Sequence, residues 1–253
     1  MPDISILMPC HNESRMIRNN IQVTLDTVKM FQNGYFELIV IDDGSSDQTY
    51  KEIKAAAENN GNVKYYRLKQ NQGKGHALRK AFSMSKGDYV CFLDGDLDLH
   101  PSMIKTFIEY MEKENADVVI GSKRHSESTV NYPMNRRFAS LMYQIMVKAL
   151  FGLSLTDSLV GLKLFKKEVL DNVFHKSLVK RFAFDVELLV NAHNMGYKIV
   201  EAPITMNIKK VENSDINFRS IIRIFVDTFA IYYRLNILHH YDNSIDKTDP
   251  KNN

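Results

Sequence analysis

Over its first 121 residues the chain alternates short apolar runs with longer stretches of helical periodicity, and no other feature constrains the fold as strongly. Ile4–Met8, Glu37–Ile41, Val63–Leu68, Tyr89–Leu93 and Val118–Ile120 have the length and the β-branched and aromatic content of strands. Between them Asn12–Phe31, Asp47–Asn60, Lys74–Ser85 and Pro101–Asn115 read as helices. Such alternation predicts an α/β domain, a mostly parallel central sheet covered by helices on both faces, with ligands at the carboxyl ends of the strands.

The polar residues that carry chemistry gather at that edge. Pro9, His11 and Glu13 follow the first strand, Asp42 to Asp47 the second, and Asp94, Asp96 and Asp98 the fourth. On an extended backbone, period-two spacing points Asp94, Asp96 and Asp98 to one side. Clustered carboxylates repel unless a cation sits among them, and all-oxygen ligands favour Mg2+ or Mn2+, which often share ligand positions with phosphates. The expectation is a metal–diphosphate site with these three residues as metal ligands.

Three other readings of the segment were weighed against that one. An EF-hand calcium loop needs Gly at its sixth position and Glu at its twelfth; counted from Asp94, Leu99 and Lys105 stand there. A haloacid-dehalogenase phosphatase also places Asp-x-Asp after a strand, but near the N-terminus and with Thr or Val in place of Asp98. A solvated strand-end turn is the plain alternative. In Asp42-Asp43-Gly44-Ser45-Ser46-Asp47, Gly44 permits a tight turn and Ser46 or Asp47 caps the next helix. Asn71-Gln72-Gly73-Lys74-Gly75 enters a helix with glycines and N–H groups that suit a phosphate, though it is neither a Walker loop nor a dinucleotide fingerprint.

Composition narrows the partners. A net charge of +3 without a Lys/Arg run gives no argument for nucleic acid. Cys10 and Cys91 lie in or beside apolar runs and read as reduced core thiols of a cytosolic protein. No secretory signal is expected at Met1-Pro2-Asp3-Ile4, and no charge-free apolar stretch of about 18 residues predicts a membrane span.

Beyond Gly121, Ser122–Pro133 reads as an irregular loop and Met134–Phe151 as a long helix with a polar stripe through Arg136, Ser140, Gln144 and Lys148. Val160–Phe165 and Ile199–Met206 suit strands, and Phe182–Met195 a helix with Asp185 and Glu187 in its first turns. A last helix, about Phe218–Leu238, is broadly apolar yet carries Arg219, Arg223, Asp227 and Arg234. It suits a helix lying in a membrane interface, or equally one packed on its own sheet or in a dimer. Residues 241–253 read as a disordered tail.

Taken together, Ile6-Leu7-Met8-Pro9-Cys10-His11-Asn12-Glu13, Val40-Ile41-Asp42-Asp43-Gly44-Ser45, Asn71-Gln72-Gly73-Lys74-Gly75-His76-Ala77 and Phe92-Leu93-Asp94-Gly95-Asp96 resemble family 2 glycosyltransferases of the GT-A fold. With Arg136-Arg137 and Ser140, Asp157, Gly161-Leu162-Lys163-Leu164-Phe165 and Phe184-Asp185-Val186-Glu187-Leu188-Leu189, the resemblance is to the dolichyl- and polyprenyl-phosphate glucosyl- and mannosyltransferases. It implies a GT-A domain over 1–216, with a nucleotide-sugar half (1–121) and an acceptor half (122–216), followed by an amphipathic interface helix at 217–240.

The resemblance also assigns roles. Pro9, His11, Glu13, Asp42, Asp43 and Lys74 would bind the nucleotide sugar, and Asp94 with Asp96 the metal, Mg2+ or Mn2+, and the diphosphate. Arg136, Arg137 and Ser140 would hold the acceptor phosphate, together with Lys123 or Arg124; Asp94, Asp96, Arg136 and Arg137 would be the catalytic set. Asp185 and Glu187 would serve as base or donor-sugar contacts. The implied reaction is inverting transfer of a hexose from UDP-glucose or UDP-N-acetylglucosamine, with GDP-mannose as a further donor, to dolichyl or polyprenyl phosphate. It would run at the cytoplasmic face of the membrane, reached by surface helices, a membrane-spanning partner or a homo-oligomer. A glycan-hydroxyl acceptor, or a nucleotide-sugar binder without turnover, are the alternatives.

Overall fold

The computed structural model describes residues 2–58, 60–130, 134–179, 183–206 and 218–241, with the side chains of 134–139 and 218–222 outside that description. Strands β1 (Ile4–Cys10), β2 (Phe36–Asp42), β3 (Val63–Arg67), β4 (Tyr89–Phe92) and β5 (Val118–Ser122) form where the apolar runs predict them. After β6 (Thr129–Val130), β7 (Lys163–Lys166) and β8 (Ile199–Pro203) complete a seven-stranded sheet in the order β3-β2-β1-β4-β7-β5-β8. β9 (Thr205–Met206) pairs with β6 apart from it. All seven residues of both β1 and β2 are buried, as continuous apolar strands covered on two faces should be. Among the buried polar residues of these strands, Glu37 accepts from Ser5 Oγ at 2.7 Å and from the Lys86 N–H at 2.7 Å, and pairs with Lys64 at 2.5 Å.

Helices α1 (Ile17–Lys29), α2 (Thr49–Ala57), α3 (Lys74–Phe82), α4 (Met103–Lys113), α5 (Met134–Phe151), α6 (Lys167–Val173), α7 (Phe184–Asn194) and α8 (Phe218–Asn236) divide between the two faces. Ile4, Ile6 and Met8 of β1 pack with α1, Ile53 of α2 and α4. Leu7, between them in sequence, packs on the opposite face with α3, α5, α6, α7 and Ile231 of α8. The alternation along one strand thus feeds two cores.

Two features depart from the sequence reading. Strand β7 runs antiparallel to both neighbours, pairing Lys163 with Phe92 of β4 and with Ile120 of β5. Its chain returns from α5 at the carboxyl edge of the sheet, so it must run downwards, and it delivers Gly161 and Lys163 beside the end of β4. The helix expected from Asn12 begins at Ile17 instead. Residues 12–14 are held in the loop: Asn12 and Glu13 N–H groups donate to Ser45 Oγ and Thr49 Oγ1, and the Ser14 N–H to Asp47 Oδ2. Asp47 also caps α2 by accepting from the Thr49 N–H at 3.0 Å.

The boundary expected near residue 216 and the tail from residue 242 lie outside the described residues; Tyr241, expected in the tail, is buried. Among the described residues no helix is long and apolar enough to cross a membrane. Both cysteines are free and buried.

Gly44 has φ +66°, and a Cβ there would run into the backbone of Gln70 and Asn71. Gly44→Ala should therefore cost on the order of 2 kcal/mol and loosen the loop that meets Gln72 and Gly73, measured as a lower denaturant midpoint.

Candidate active site

A cavity of about 460 Å3 opens at the carboxyl ends of β1, β2 and β4. Pro9, Cys10, His11, Glu13, Asp43, Asn71, Gly73, Lys74, Asp94, Gly95, Asp96, Leu159, Asp185 and Ile224 line it. The loops expected to form one crevice do so, joined by the glycine loop before α3, by α7 and by α8.

Hydrogen bonds fix the loops against each other. His11 Nδ1–H donates to the Asp43 carbonyl at 2.9 Å, a tautomer required by that acceptor. The Asp43 carboxylate accepts the Gln72 and Gly73 N–H groups, each at 2.8 Å, where Gly73 has φ +95°. Asp42 is fully buried, accepts the Ser45 N–H at 2.9 Å and pairs with Arg67 at 3.3 Å. It is not among the residues that line the cavity.

The acidic segment turns rather than extends. β4 ends at Phe92, the Leu97 N–H donates to the Asp94 carbonyl at 3.1 Å, and Leu97 takes φ +50°. Asp96 Oδ1 accepts the Asp98 N–H at 3.1 Å. This turn brings Asp94 and Asp96 into the cavity without Asp98. Among the described residues no three His, Cys, Asp or Glu side chains form a metal-holding group; the backbone turns at Leu97 instead of extending, so period-two spacing does not set the directions of the three carboxylates there.

Lys74, the first residue of α3, places Nζ 2.6 Å from Asp94 Oδ1 and 4.0 Å from Asp185 Oδ2. Burial opposes its charge, but Asp94 and then Asp185 hold the ammonium above its usual range. Asp94 is correspondingly held low: burial works against ionisation, and the charge and hydrogen bond of Lys74 overcome it. Among the described residues neither Asp96 nor Glu13 forms an ion pair with a cation. Burial, then the charges of Asp94 and Asp98, push Asp96 up to about 6. Burial, then the charge of Asp96, push Glu13 up to about 8.

The residues fit a divalent cation shared with phosphate oxygens. Glu13 Oε2 is buried with no hydrogen-bond partner, and it lies 2.5 Å from where a Cβ on Gly95 would stand. An orphaned carboxylate oxygen beside Asp94 and Asp96 is the charge pattern that a cation relieves. Asp94 and Asp96 are the side chains that would hold it.

Lys123, Arg124 and Ser140, expected at the acceptor phosphate, are not among the residues that line this cavity. Lys123 pairs with Asp157 at 3.1 Å, and Arg124 Nη1 donates to the Thr156 carbonyl at 3.3 Å. Glu201 organises that loop by accepting from the Thr156 and Asp157 N–H groups. Ser140 is half-buried on α5; the side chains of Arg136 and Arg137 lie outside those described. Glu187 is fully buried and absent from the cavity: its oxygens accept the Val179 N–H at 2.8 Å and the Tyr241 hydroxyl at 2.7 Å. These bonds tie α7 to Val179 and to Tyr241, beyond α8. Asp185, two residues earlier, does reach the cavity.

The sequence reading also missed Asn71, Leu159 and Ile224 as cavity residues and gave no role to Lys163, which is fully buried with Nζ 2.9 Å from Asp185 Oδ1. A lysine inside the apolar run Leu162–Phe165 was the visible signal for the last of these.

Comparison with known proteins decides the family, since residues 5–174 match the family model for glycosyl transferase family 2. The chain belongs to that family. It is a glycosyltransferase, and its mostly parallel sheet flanked by helices is the GT-A architecture of its structural neighbours. The dolichyl-phosphate beta-glucosyltransferase of Dictyostelium discoideum is 28% identical over 246 residues, covering 91% of this chain and 74% of that protein. Glycosyltransferase AglD of Haloferax volcanii is 27% identical over 80% of this chain, which spans only 32% of AglD. Among solved structures, mannosyl-3-phosphoglycerate synthase from Rubrobacter xylanophilus superposes with TM-score 0.69 at 15% identity, covering 95% of this chain and 76% of its own. Glucosyl-3-phosphoglycerate synthase from Mycobacterium tuberculosis, in complex with Mn2+, UDP and glucosyl-3-phosphoglycerate, gives TM-score 0.63 at 20% identity, covering 90% and 80%.

Glu13 and Asp96 bind protons more tightly in this glycosyltransferase than in an unfolded chain. The stability they contribute is therefore full at low pH and lost as pH rises through about 6 and about 8. A cation held there with UDP would compete with those protons, so thermal stabilisation by Mn2+ and UDP should be larger near pH 7.5 than near pH 5. Equal shifts at both would show that the carboxylates do not meet the ion.

Proposed function

We propose that this glycosyltransferase transfers glucose from UDP-glucose to the phosphate of a polyprenyl or dolichyl lipid at a membrane surface. The observation that carries the donor half is the cavity where Lys74, Asp94 and Asp96 converge beside the glycine loop. The names of the curated relatives, dolichyl-phosphate beta-glucosyltransferases, support the sugar and the acceptor. In this reading Pro9, His11 and Asp43 border the nucleoside, and Lys74 faces the diphosphate. A divalent ion on Asp94 and Asp96 would supply charge neutralisation for the leaving diphosphate.

The acceptor is an anion before it arrives. A lipid phosphate oxygen attacks the anomeric carbon as the bond to UDP breaks, with inversion, and no side chain has to remove a proton. This suits a cavity in which Asp94 and Asp185 each lie within 4.0 Å of a lysine ammonium. Asp185 then contacts the sugar rather than acting as base. Arg136, Arg137, Ser140 and either Lys123 or Arg124 are assigned to the acceptor phosphate.

Exposed apolar residues give the membrane half its support. Leu141, Met142 and Ile145 on α5, and Val226, Phe229, Tyr233, Ile237 and Leu238 on or just beyond α8, each expose at least about two-fifths of their surface. α8 also contributes Ile224 to the cavity, so the helix that would lie on lipid borders the donor site.

Two experiments test this function. UDP release from UDP-glucose should depend on a short polyprenyl phosphate and on Mn2+ or Mg2+, and fall at least about a hundredfold in Asp96→Ala. Release with a glycan acceptor instead, or faster release from GDP-mannose, would redirect the assignment, and donor binding without any turnover would reduce the protein to a binder. Flotation with anionic liposomes should drop in a Phe229→Ser, Ile237→Ser variant; unchanged flotation would remove α8 from the lipid contact.

A further inference from the structure

Lys163 sits at the start of β7, between β4 and β5, and no part of it is exposed to solvent. Its ammonium contacts the Val160 carbonyl and lies 2.9 Å from Asp185 Oδ1. Beyond Asp185 comes Lys74, 4.0 Å from Oδ2, and beyond Lys74 comes Asp94 at 2.6 Å. The four side chains form a line of alternating charge, from a closed interior to the open cavity. Only its inner end, Lys163, lies wholly outside the cavity.

Stability does not explain that inner end. Burying an ammonium and a carboxylate together costs about as much as their attraction returns, and well-packed apolar residues are often as stable or better. The gap in the reading is what Lys163 does for the cavity. Lys74 has two carboxylates within reach and one charge to offer. Its contact with Asp94 is the short one, and its contact with Asp185 the long one.

We propose that Lys163 is a positioning residue for sugar transfer: by occupying Asp185 from behind, it keeps Asp185 from taking Lys74 away from Asp94. The strand that brings Lys163 also fits itself to Asp94, because a side chain on Gly161 would collide with Asp94 Oδ2. The antiparallel strand thus serves as the back wall of the donor site. When Lys163 is lost, Asp185 has one cation left, and Lys74 is drawn inwards, away from the place where the diphosphate is expected.

This inference rests on the donor reading given above, and its test separates the two. Titrate wild type, Lys163→Met and the double variant Lys163→Met, Asp185→Asn with UDP in the presence of Mn2+, and measure KM and kcat for UDP-glucose. Lys163→Met should weaken UDP binding and raise KM by about tenfold or more, the size of losing one charge-assisted contact. The double variant removes the competitor, so its UDP affinity should return to within about threefold of wild type even though the sugar contact of Asp185 is gone. A fall in thermal stability of Lys163→Met with unchanged Kd and KM would mean a structural role only, and would overturn the proposal. If Lys163→Met does not fold, the double variant decides: folded with near-native UDP affinity supports it, folded with affinity still tenfold weaker overturns it. Failure of the wild type to bind UDP would instead refute the donor reading itself.

Discussion

Lys74 stands at the first position of α3 with its ammonium 2.6 Å from Asp94 Oδ1, at the edge of the sheet where three loops meet. A cation at a helix N-terminus opposes the helix dipole, and a buried one gives up its water. It is held there because carboxylates stand on two sides of it. The rest of the cavity follows from this contact. Asp94 is ionised because Lys74 faces it, whereas Asp96 and Glu13, with no cation of their own, are pushed up by burial and by one another. Among the described residues Lys74 pairs with Asp94 and Asp185 and leaves Asp96 and Glu13 without an ion pair, beside the loop that Asp43 holds at the start of α3. A divalent ion with a diphosphate is the ligand proposed to relieve that excess charge.

The scaffold explains how so much charge is tolerated. Each of the loops is fastened to another by hydrogen bonds that leave the cavity-facing atoms in place: His11 to the Asp43 carbonyl, Asp43 to Gln72 and Gly73, and Asn12 to Ser45 and Ser46. Beneath them the sheet is apolar on both faces. The antiparallel β7 breaks the run of parallel strands next to β4, and it is there that a lysine enters the interior. On the outer side α8 borders the cavity with Ile224 and is tied back by Thr228 to Tyr143 and by Arg234 to Glu187 at 3.8 Å.

Much of this was legible in the residues. Apolar runs of three to six residues separated by helical spacing leave few choices other than a parallel sheet, and polar residues directly after strands fall at its carboxyl edge. What sequence could not supply was local geometry set by other parts of the chain. Asp98 was grouped with Asp94 and Asp96 by period-two spacing, but Gly95 and Leu97 turn the backbone there. Asp42 and Asp43 are neighbours, yet alternation along β2 and its exit loop gives one to Arg67 and the other to the glycine loop. Asp185 and Glu187 were assigned alike, although two residues on a helix are about 200° apart and face different surroundings. That correction was available from periodicity alone. The direction of β7 was not, since it depends on where the chain returns after α5.

The most direct measurement is anomalous diffraction at the manganese edge from crystals soaked with UDP and Mn2+. The account predicts one strong peak in the cavity, in contact with the carboxylates of Asp94 and Asp96 and with the diphosphate, while Lys74 stays beside Asp94. Bound UDP with no manganese at Asp94 and Asp96, or manganese at a site away from them, would contradict it.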